Sequence, residues 1–511
     1  MIDPLLSRRQ WIQGMLGAGA AAALGGCSSR PRLRSGAPSD IVIRENQHPG
    51  TRDWLLTKTA VDPATKYRCR WIEGYCSHTS IRAGETLTFY VSTNPASPFT
   101  LDLYRLGYYG GTGGRFLTRL GPFPGSIQPD PPVGPKRLRD CQWEPCATLQ
   151  IPEDWPSGVY VGKLTTTHGG WQSYVIFIVR DDRHADFLFQ CSDTTWQAYN
   201  RWPDQYALYD NGRTVWYWGN DVAVSFNRPY GKYCQILDAP LSTGSGEFFL
   251  WEFPLAYWLE GQGYDVSYIS NLDTHADPRG LLRARGFLSV GHDEYYSIEM
   301  FRNLQQAIAA GLNVAFLSGN TCCGRIEFQP DFRGRPRTYE RTDFYGPRDP
   351  KSIAGMETLP HTSPNSAELV GARNLGPFSG GADWICLKPE HWLFAGTGMK
   401  QGEGIPGLVG WEWHGDPAKI PGLEIVAGGP TQSAPGKLNG ANTPPQSIPA
   451  RAAISSLTRP PAGGVMDSAR PQATSAPRST RRPKAQTHAR NGSPGTCWKG
   501  CESNQWDRRI H

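Results

Sequence analysis

The sequence predicts an α/β protein with a largely parallel, doubly wound sheet, preceded by an antiparallel β-sandwich. Three observations carry this reading. Residues 41–180 alternate polar and apolar side chains in short runs broken by glycine turns, with no helical period. From Asp186 onward, short apolar strands alternate with stretches of helical spacing. Aromatic residues make up 11% of the 511-residue chain, including 18 Trp and 21 Tyr, enough for sizeable cores in two to four domains.

In the first region, 85–91, 100–105, 158–165 and 173–179 read as strands. Turns such as Arg82-Ala83-Gly84 and the glycine cluster at 109–114 separate them, which predicts a sandwich domain over 41–183. In the second region, 187–190, 265–269, 286–290 and 313–317 are predicted strands. Helices are predicted over 252–261 and 297–310, the latter with Met300, Leu304 and Ile308 on one face and Gly311 ending it. Alternating strands and helices predict a parallel sheet wound on both faces, over 184–441. Such sheets carry their sites at the carboxyl ends of the strands, where residues 292–296 and Gly319-Asn320-Thr321 fall.

The termini read differently. Residues 1–29 contain Ser7-Arg8-Arg9-Gln10-Trp11-Ile12, which resembles a twin-arginine export signal, then an Ala/Gly-rich apolar stretch ending at Cys27. The expectation is an exported protein, membrane-anchored by a lipid on Cys27, at the periplasmic or cell surface, with a linker over 30–40. That route carries folded proteins, often with a prosthetic group inserted. Residues 442–511 are rich in Pro, Ser, Ala and Arg and read as a disordered basic tail. Residues 431–511 hold 12 Lys/Arg against 3 Asp/Glu, so the net charge of +6 belongs to the tail and the first 430 residues carry −3. A body that is not basic argues against a nucleic-acid partner. The twelve cysteines fit an oxidising compartment, with Cys69/Cys76 and Cys141/Cys146 as candidate small-loop disulfides, and they show no zinc-binding spacing.

Five motifs share one further likeness: residues 104–111 (YRLGYYGG), 196–200 (WQAYN), 226–230 (FNRPY), 291–296 (GHDEYY) and 318–320 (SGN). Together they resemble the N,N-dimethylformamidase large-subunit family, bacterial proteins with a glutamine-amidotransferase-like α/β domain, over roughly residues 80–440. The resemblance implies a mononuclear Fe³⁺ held by Tyr199, Tyr230 and Glu294. It also implies His292 beside the ligands, Asn320 lining the pocket and Glu412 as the base. The donor chemistry agrees, because phenolate and carboxylate oxygens are hard ligands suited to Fe³⁺. A tyrosine with a free pKa of ~10 ionises near neutral pH only beside a strong Lewis acid. The implied activity is hydrolysis of a small amide at its C–N bond, with activated water as the nucleophile.

Other readings stand beside it. Tyr199 and Tyr230 lie in an aromatic-rich region, where tyrosines pack. His292 is also a candidate cap for the next helix, Glu412 an outward residue of a Trp-Glu-Trp strand, and Tyr295 and Tyr296 packing residues. Cys322 and Cys323 follow a strand and offer an alternative nucleophile for a cysteine hydrolase. A non-enzymatic cell-surface binding protein with a vestigial site is the remaining alternative, and oligomer formation is left open. The family's amide hydrolase is larger, with an added lectin-like domain and a small subunit, so dimethylformamide itself is not the expected substrate. Residues 446–472, read in the neighbouring codon phase, can encode a strand-like segment similar to the family's, which predicts a frame change near 442–445; the nucleotide sequence decides it.

Overall fold

A computed structural model of the chain describes residues 39–214, 216–232, 242–374, 382–409 and 412–429, with short strand segments at 431–432, 437–438, 441–442 and 447–448. The expected signal with Cys27 and the tail beyond 448 lie outside the described residues. Among those residues no helix is long and apolar enough to cross a membrane.

After a short helix α1 (Ile41–Glu45), two sheets face each other. One is three-stranded and antiparallel, in the order β1 (Glu73–Cys76), β3 (Thr86–Ser92), β6 (Ala147–Gln150). The other runs β2 (Ser80–Arg82), β8 (Gln172–Arg180), β7 (Gly158–Thr166), β4 (Phe99–Leu106), β5 (Gly114–Phe123), antiparallel except where β2 joins β8. The alternating apolar positions close a core between them, with Leu87, Phe89 and Val91 against Leu101, Leu103, Leu164 and Phe177. This is the sandwich the period-2 pattern predicts.

A four-stranded parallel sheet follows, in the order β11 (Val266–Ser270), β9 (Ala185–Cys191), β12 (Ala284–Gly291), β14 (Asn313–Ser318). Its strands are apolar on both faces. Leu188, Ile269, Phe287 and Val314 face one way, onto helix α5 (Ile298–Ala309) through Met300, Phe301, Leu304 and Ala307. Burying each such side chain contributes roughly 1.5–3 kcal/mol. Ser297 caps α5, its hydroxyl accepting the Met300 amide at 3.1 Å. The opposite residues, Phe189, Tyr268, Leu288 and Val290, share one cluster with Ala256 and Leu259 of α3 (Phe253–Gly261) and with Tyr104, Val159, Val161, Ile176 and Ile178 of the sandwich.

Here the structure corrects the expectation of a sheet wound by helices on both faces. One face is covered largely by another sheet. The reason is that the outward residues of β4, β7 and β8 are themselves apolar, so the sandwich supplies the cover a second helical layer would give. A further mixed sheet, β10 (Ala223–Ser225), β16 (Pro336–Phe344), β15 (Gly324–Pro330), β13 (Tyr295–Ser297), was not expected at all. The protein is therefore sheet-rich, with one parallel sheet among mixed and antiparallel ones.

The YRLGYYGG motif is the joint between sandwich and parallel sheet. Arg105, fully buried, makes a two-pronged ion pair with Glu260 of α3 at 2.9 and 3.0 Å. Tyr268 and Asn46 also donate to Glu260, and Arg105 donates to the Tyr109 hydroxyl. Gly107 is required because a Cβ there would meet the Glu260 carboxylate at 2.4 Å. The expected small-loop disulfides are absent: Cys69, Cys76, Cys141 and Cys146 are free thiols. Cys76 packs in the sandwich core and Cys141 in the Tyr75–Trp143–Trp202 cluster, so sequence proximity does not bring the partners together.

Candidate functional site

The site forms where β12 ends. Gly291 turns the chain with φ +77°, and a Cβ there would strike Trp251 at 2.7 Å. The three residues that follow diverge. Asp293 points into the sheet and accepts from Gln190 (2.6 Å), Ser289 (2.7 Å), Tyr296 (2.6 Å) and Asn271 (3.0 Å), while its amide donates to the Ser318 hydroxyl (2.7 Å). This satisfied carboxylate is a peg that holds the loop. The Glu294 amide donates to Thr195 on α2 (Asp193–Tyr199), and its carbonyl accepts the amides of Cys323 and Gly324. The loop is thus fastened on both sides, and the His292 and Glu294 side chains are presented in a fixed direction.

The Glu294 carboxylate is fully buried. Its Oε2 accepts the hydroxyls of Tyr199 at 2.8 Å and Tyr209 at 3.0 Å. Tyr295 donates to the Tyr209 oxygen at 2.5 Å and receives Arg341 at 2.7 Å. His292 Nε2 lies 3.4 Å from Glu294 Oε2 and 3.0 Å from Glu412 Oε2, while its Nδ1 lies 3.4 Å from Glu247 Oε2. These imidazole contacts are close in distance but not aligned as hydrogen bonds, and Glu294 Oε1 and both Glu412 oxygens have no hydrogen-bond partner among the described residues.

The electrostatics follow from this crowding. Burial pushes the Glu294 carboxyl up, against the pull of His292. Burial also opposes charge on His292, but the Glu412 and Glu247 carboxylates outweigh it and hold the imidazole well above its ordinary value. Burial, with the Glu294 charge adding to it, raises both Tyr199 and Tyr209. Three buried carboxylates and two phenols around one imidazole leave an excess of acceptor oxygen that a cation would relieve. Among the described residues no three His, Cys, Asp or Glu side chains are arranged to enclose a metal, so a metal here needs the tyrosine oxygens. The donor set of Tyr199, Tyr209 and Glu294, with its free Oε1, fits a hard trivalent ion.

The structure brings together Tyr199, Glu294, His292 and Glu412 of the expected set. Asn320 is near them: it is buried, and its amide donates to the Glu412 carbonyl at 3.0 Å. Asn320, Cys322 and Glu412, with Trp216 beside the tyrosines, are four of the ten non-glycine residues held at positive φ among the described residues, so backbone strain collects around this loop cluster. Tyr230 is placed elsewhere. Its surroundings are Asp193, Gln197, Arg337 and Arg228, and Tyr209 takes the position beside Glu294 that the resemblance implies for it. The reading of residues missed Tyr209, Glu247 and Arg341. Tyr209 stood among the aromatic residues that follow Tyr199, with no local pattern to set it apart. His292 does not cap α5, since Ser297 does, and Tyr295 turns away from α5 into the Tyr209–Arg341 cluster while Tyr296 packs on the helix.

The thiols do not form a second centre. Cys322 and Cys323 are buried; burial raises both, Cys323 to about 11 despite Arg348 at 3.1 Å. A thiol held neutral and out of solvent is a poor nucleophile. Iodoacetamide at neutral pH is expected to label the partly exposed Cys146 and spare Cys322 and Cys323, with activity retained; peptide mapping checks this. Modification of Cys322 with parallel loss of turnover would restore the cysteine-hydrolase alternative.

Comparison with known proteins bears on the same region. A family model described as N,N-dimethylformamidase beta subunit-like, C-terminal, matches residues 100–474. The matched span contains the parallel sheet, every site residue above and the positions where a frame change is expected. No curated protein matches the sequence significantly.

Proposed function

The chain belongs to the N,N-dimethylformamidase beta subunit-like family, and from that premise we propose that it is an iron-dependent hydrolase of a small carboxamide, cleaving the C–N bond with water. The observation that supports this most is the convergence of two buried tyrosine hydroxyls on one oxygen of Glu294, with His292 and Glu412 alongside. Tyr199, Tyr209 and Glu294 would hold Fe³⁺, which when bound supplies Lewis acidity to polarise the amide carbonyl and to acidify water.

The chain's own residues do the rest. Glu412, 3.0 Å from His292, accepts a proton from the attacking water as its oxygen adds to the carbonyl carbon. The same proton passes to the amide nitrogen as the C–N bond breaks, so a carboxylic acid and an amine leave. His292, charged between Glu247 and Glu412, orients the Glu412 carboxylate and stabilises negative charge that develops beside it. The Asp293 peg keeps these groups in register, and burial of all of them keeps bulk water from competing. Export through residues 1–29 and a lipid at Cys27 complete the proposal and rest on the sequence alone.

The test separates the two candidate tyrosines. Tyr209→Phe is expected to lose the tyrosinate-to-iron absorption and most bound iron, while Tyr230→Phe keeps both. Metal analysis with an optical spectrum reads the result, and turnover on a series of N-alkyl and N,N-dialkyl amides reads the substrate class. Colourless, iron-free wild-type protein after growth with iron would sink the metal assignment; absence of turnover on every amide in iron-loaded protein would sink the hydrolase.

A further inference from the structure

Two buried arginines away from the site have no acidic hydrogen-bond or ion-pair partner among the described residues. Arg228 is 1% exposed and Arg337 is 5% exposed. The Arg228 guanidinium donates only to neutral oxygens: Gln197 Oε1, and the carbonyls of Ser225, Trp202, Tyr206 and Gln197. Arg337 donates through Nε to Asn227 Oδ1 at 2.7 Å and through Nη2 to the carbonyls of Cys76 and Phe226. Its Nη1 has no hydrogen bond among the described residues. Burial pushes both guanidinium groups down to about 10, with Arg335 adding to it at Arg337, and the charges of Asp210 and Asp331 offset it only in part. Two carboxylates of the same region bond to other groups: Asp331 pairs with Arg335 at 2.9 Å, and Asp140 accepts from Ser225 and Asn227.

Both arginines line one cavity of about 20 Å³ between the sandwich and the parallel-sheet region, together with Tyr230, Asp193, His78 and Trp196. At ~10–15 Å³ per water, it has room for one or two occupants of water size. Asp193 is fully buried, with one oxygen on the Asn271 amide and the other, Oδ2, unpartnered. Burial and the proximity of Arg337 and Arg335 lower His78 to about 4, so it is neutral and adds no charge. The Tyr230 hydroxyl lies in the field of both arginines and of Asp193. Among the described residues that line the cavity, two guanidinium groups face one carboxylate, a difference that a bound anion would offset.

We propose that this cavity is a structural site for one monatomic anion of chloride size, held by Arg337, Arg228 and the Tyr230 hydroxyl. Room for one or two water-sized occupants fits an anion of that size, and the guanidinium N–H groups favour it over a neutral water. Tyr230 then serves as a donor at an anion site rather than as an iron ligand. The site lies where the sandwich meets the aromatic region that carries Tyr199 and Tyr209, so the anion would fasten the two together.

The full-length protein tests this in two ways. Crystals grown or soaked in sodium bromide are expected to show an anomalous peak between Arg337 and Tyr230. In solution, the unfolding midpoint is expected to rise by several degrees with sodium chloride relative to sodium gluconate at equal ionic strength, and to saturate. In Arg337→Met that chloride-specific rise disappears. The bromide experiment needs no variant, so a variant that fails to fold leaves the proposal testable. A cavity holding only water, with no anomalous signal, overturns it, as does wild-type melting that is identical in the two salts.

Discussion

Glu294→Gln is expected to lose activity by on the order of 10³-fold, the scale of removing a group that acts in the transition state, and to lose its iron. The amide keeps the shape of the carboxylate and one carbonyl oxygen, so the Tyr199 and Tyr209 hydroxyls retain an acceptor. What disappears is the anionic oxygen pair that a trivalent ion needs. The fold has a different dependence. Burial raises the Glu294 carboxyl, which means that the ionised form is disfavoured in the folded state. Replacing it by a neutral amide in metal-free protein is therefore expected to leave the unfolding midpoint unchanged or slightly higher. Turnover, iron content and metal-free melting, measured together, distinguish a ligand from a structural carboxylate. A variant that keeps its iron and turns over normally would remove the basis of the site; one that simply unfolds would assign Glu294 to packing.

Arg105→Ala is expected to destabilise the protein by about 3–5 kcal/mol, the cost of breaking a buried ion pair from one side. Arg105 and Glu260 are both fully buried at the side chain, and four hydrogen bonds converge on Glu260. Truncating Arg105 leaves Glu260 with only the Tyr268 hydroxyl and the Asn46 amide. It also unpins Tyr109, which donates to Glu45 at 2.6 Å, beside Arg115. The double variant Arg105→Met, Glu260→Leu is expected to recover much of the loss, because apolar residues of similar volume often replace a buried pair at little cost. Urea unfolding of the two single variants and the double variant checks both statements. A single variant within 1 kcal/mol of wild type would mean that the joint is held by apolar contact alone.

The strands and helices that carry the site were legible because their signals are local. Residues 286–290 and 313–317 are short apolar runs, and the Met300–Leu304–Ile308 spacing marks a helix face, so periods of 2 and 3.6 are enough to find them. The mixed sheet was not legible for an opposite reason. Its strand β16 carries Arg337, Arg341 and Asp343, charged residues that interrupt any apolar alternation. In the fold Arg341 is fully buried, stacked 4.5 Å from the Trp218 ring and 5.0 Å from the Tyr209 ring. Aromatic faces from distant segments make that burial tolerable, and no local pattern announces them. The winding of the parallel sheet was misread for the same reason, since the sandwich residues that cover one face lie far back in the chain.

Local pattern and motif therefore sufficed for the sandwich, the parallel strands, the placing of His292 and Glu294 at a strand end, and the family. Which tyrosine faces Glu294, which thiols stay apart and which arginines are buried outside an ion pair were settled only by packing. A side chain's chemistry depends on what lies within about 3 Å of its polar atoms, and for Tyr209, Tyr230 and Arg337 those neighbours come from segments whose approach no sequence period encodes.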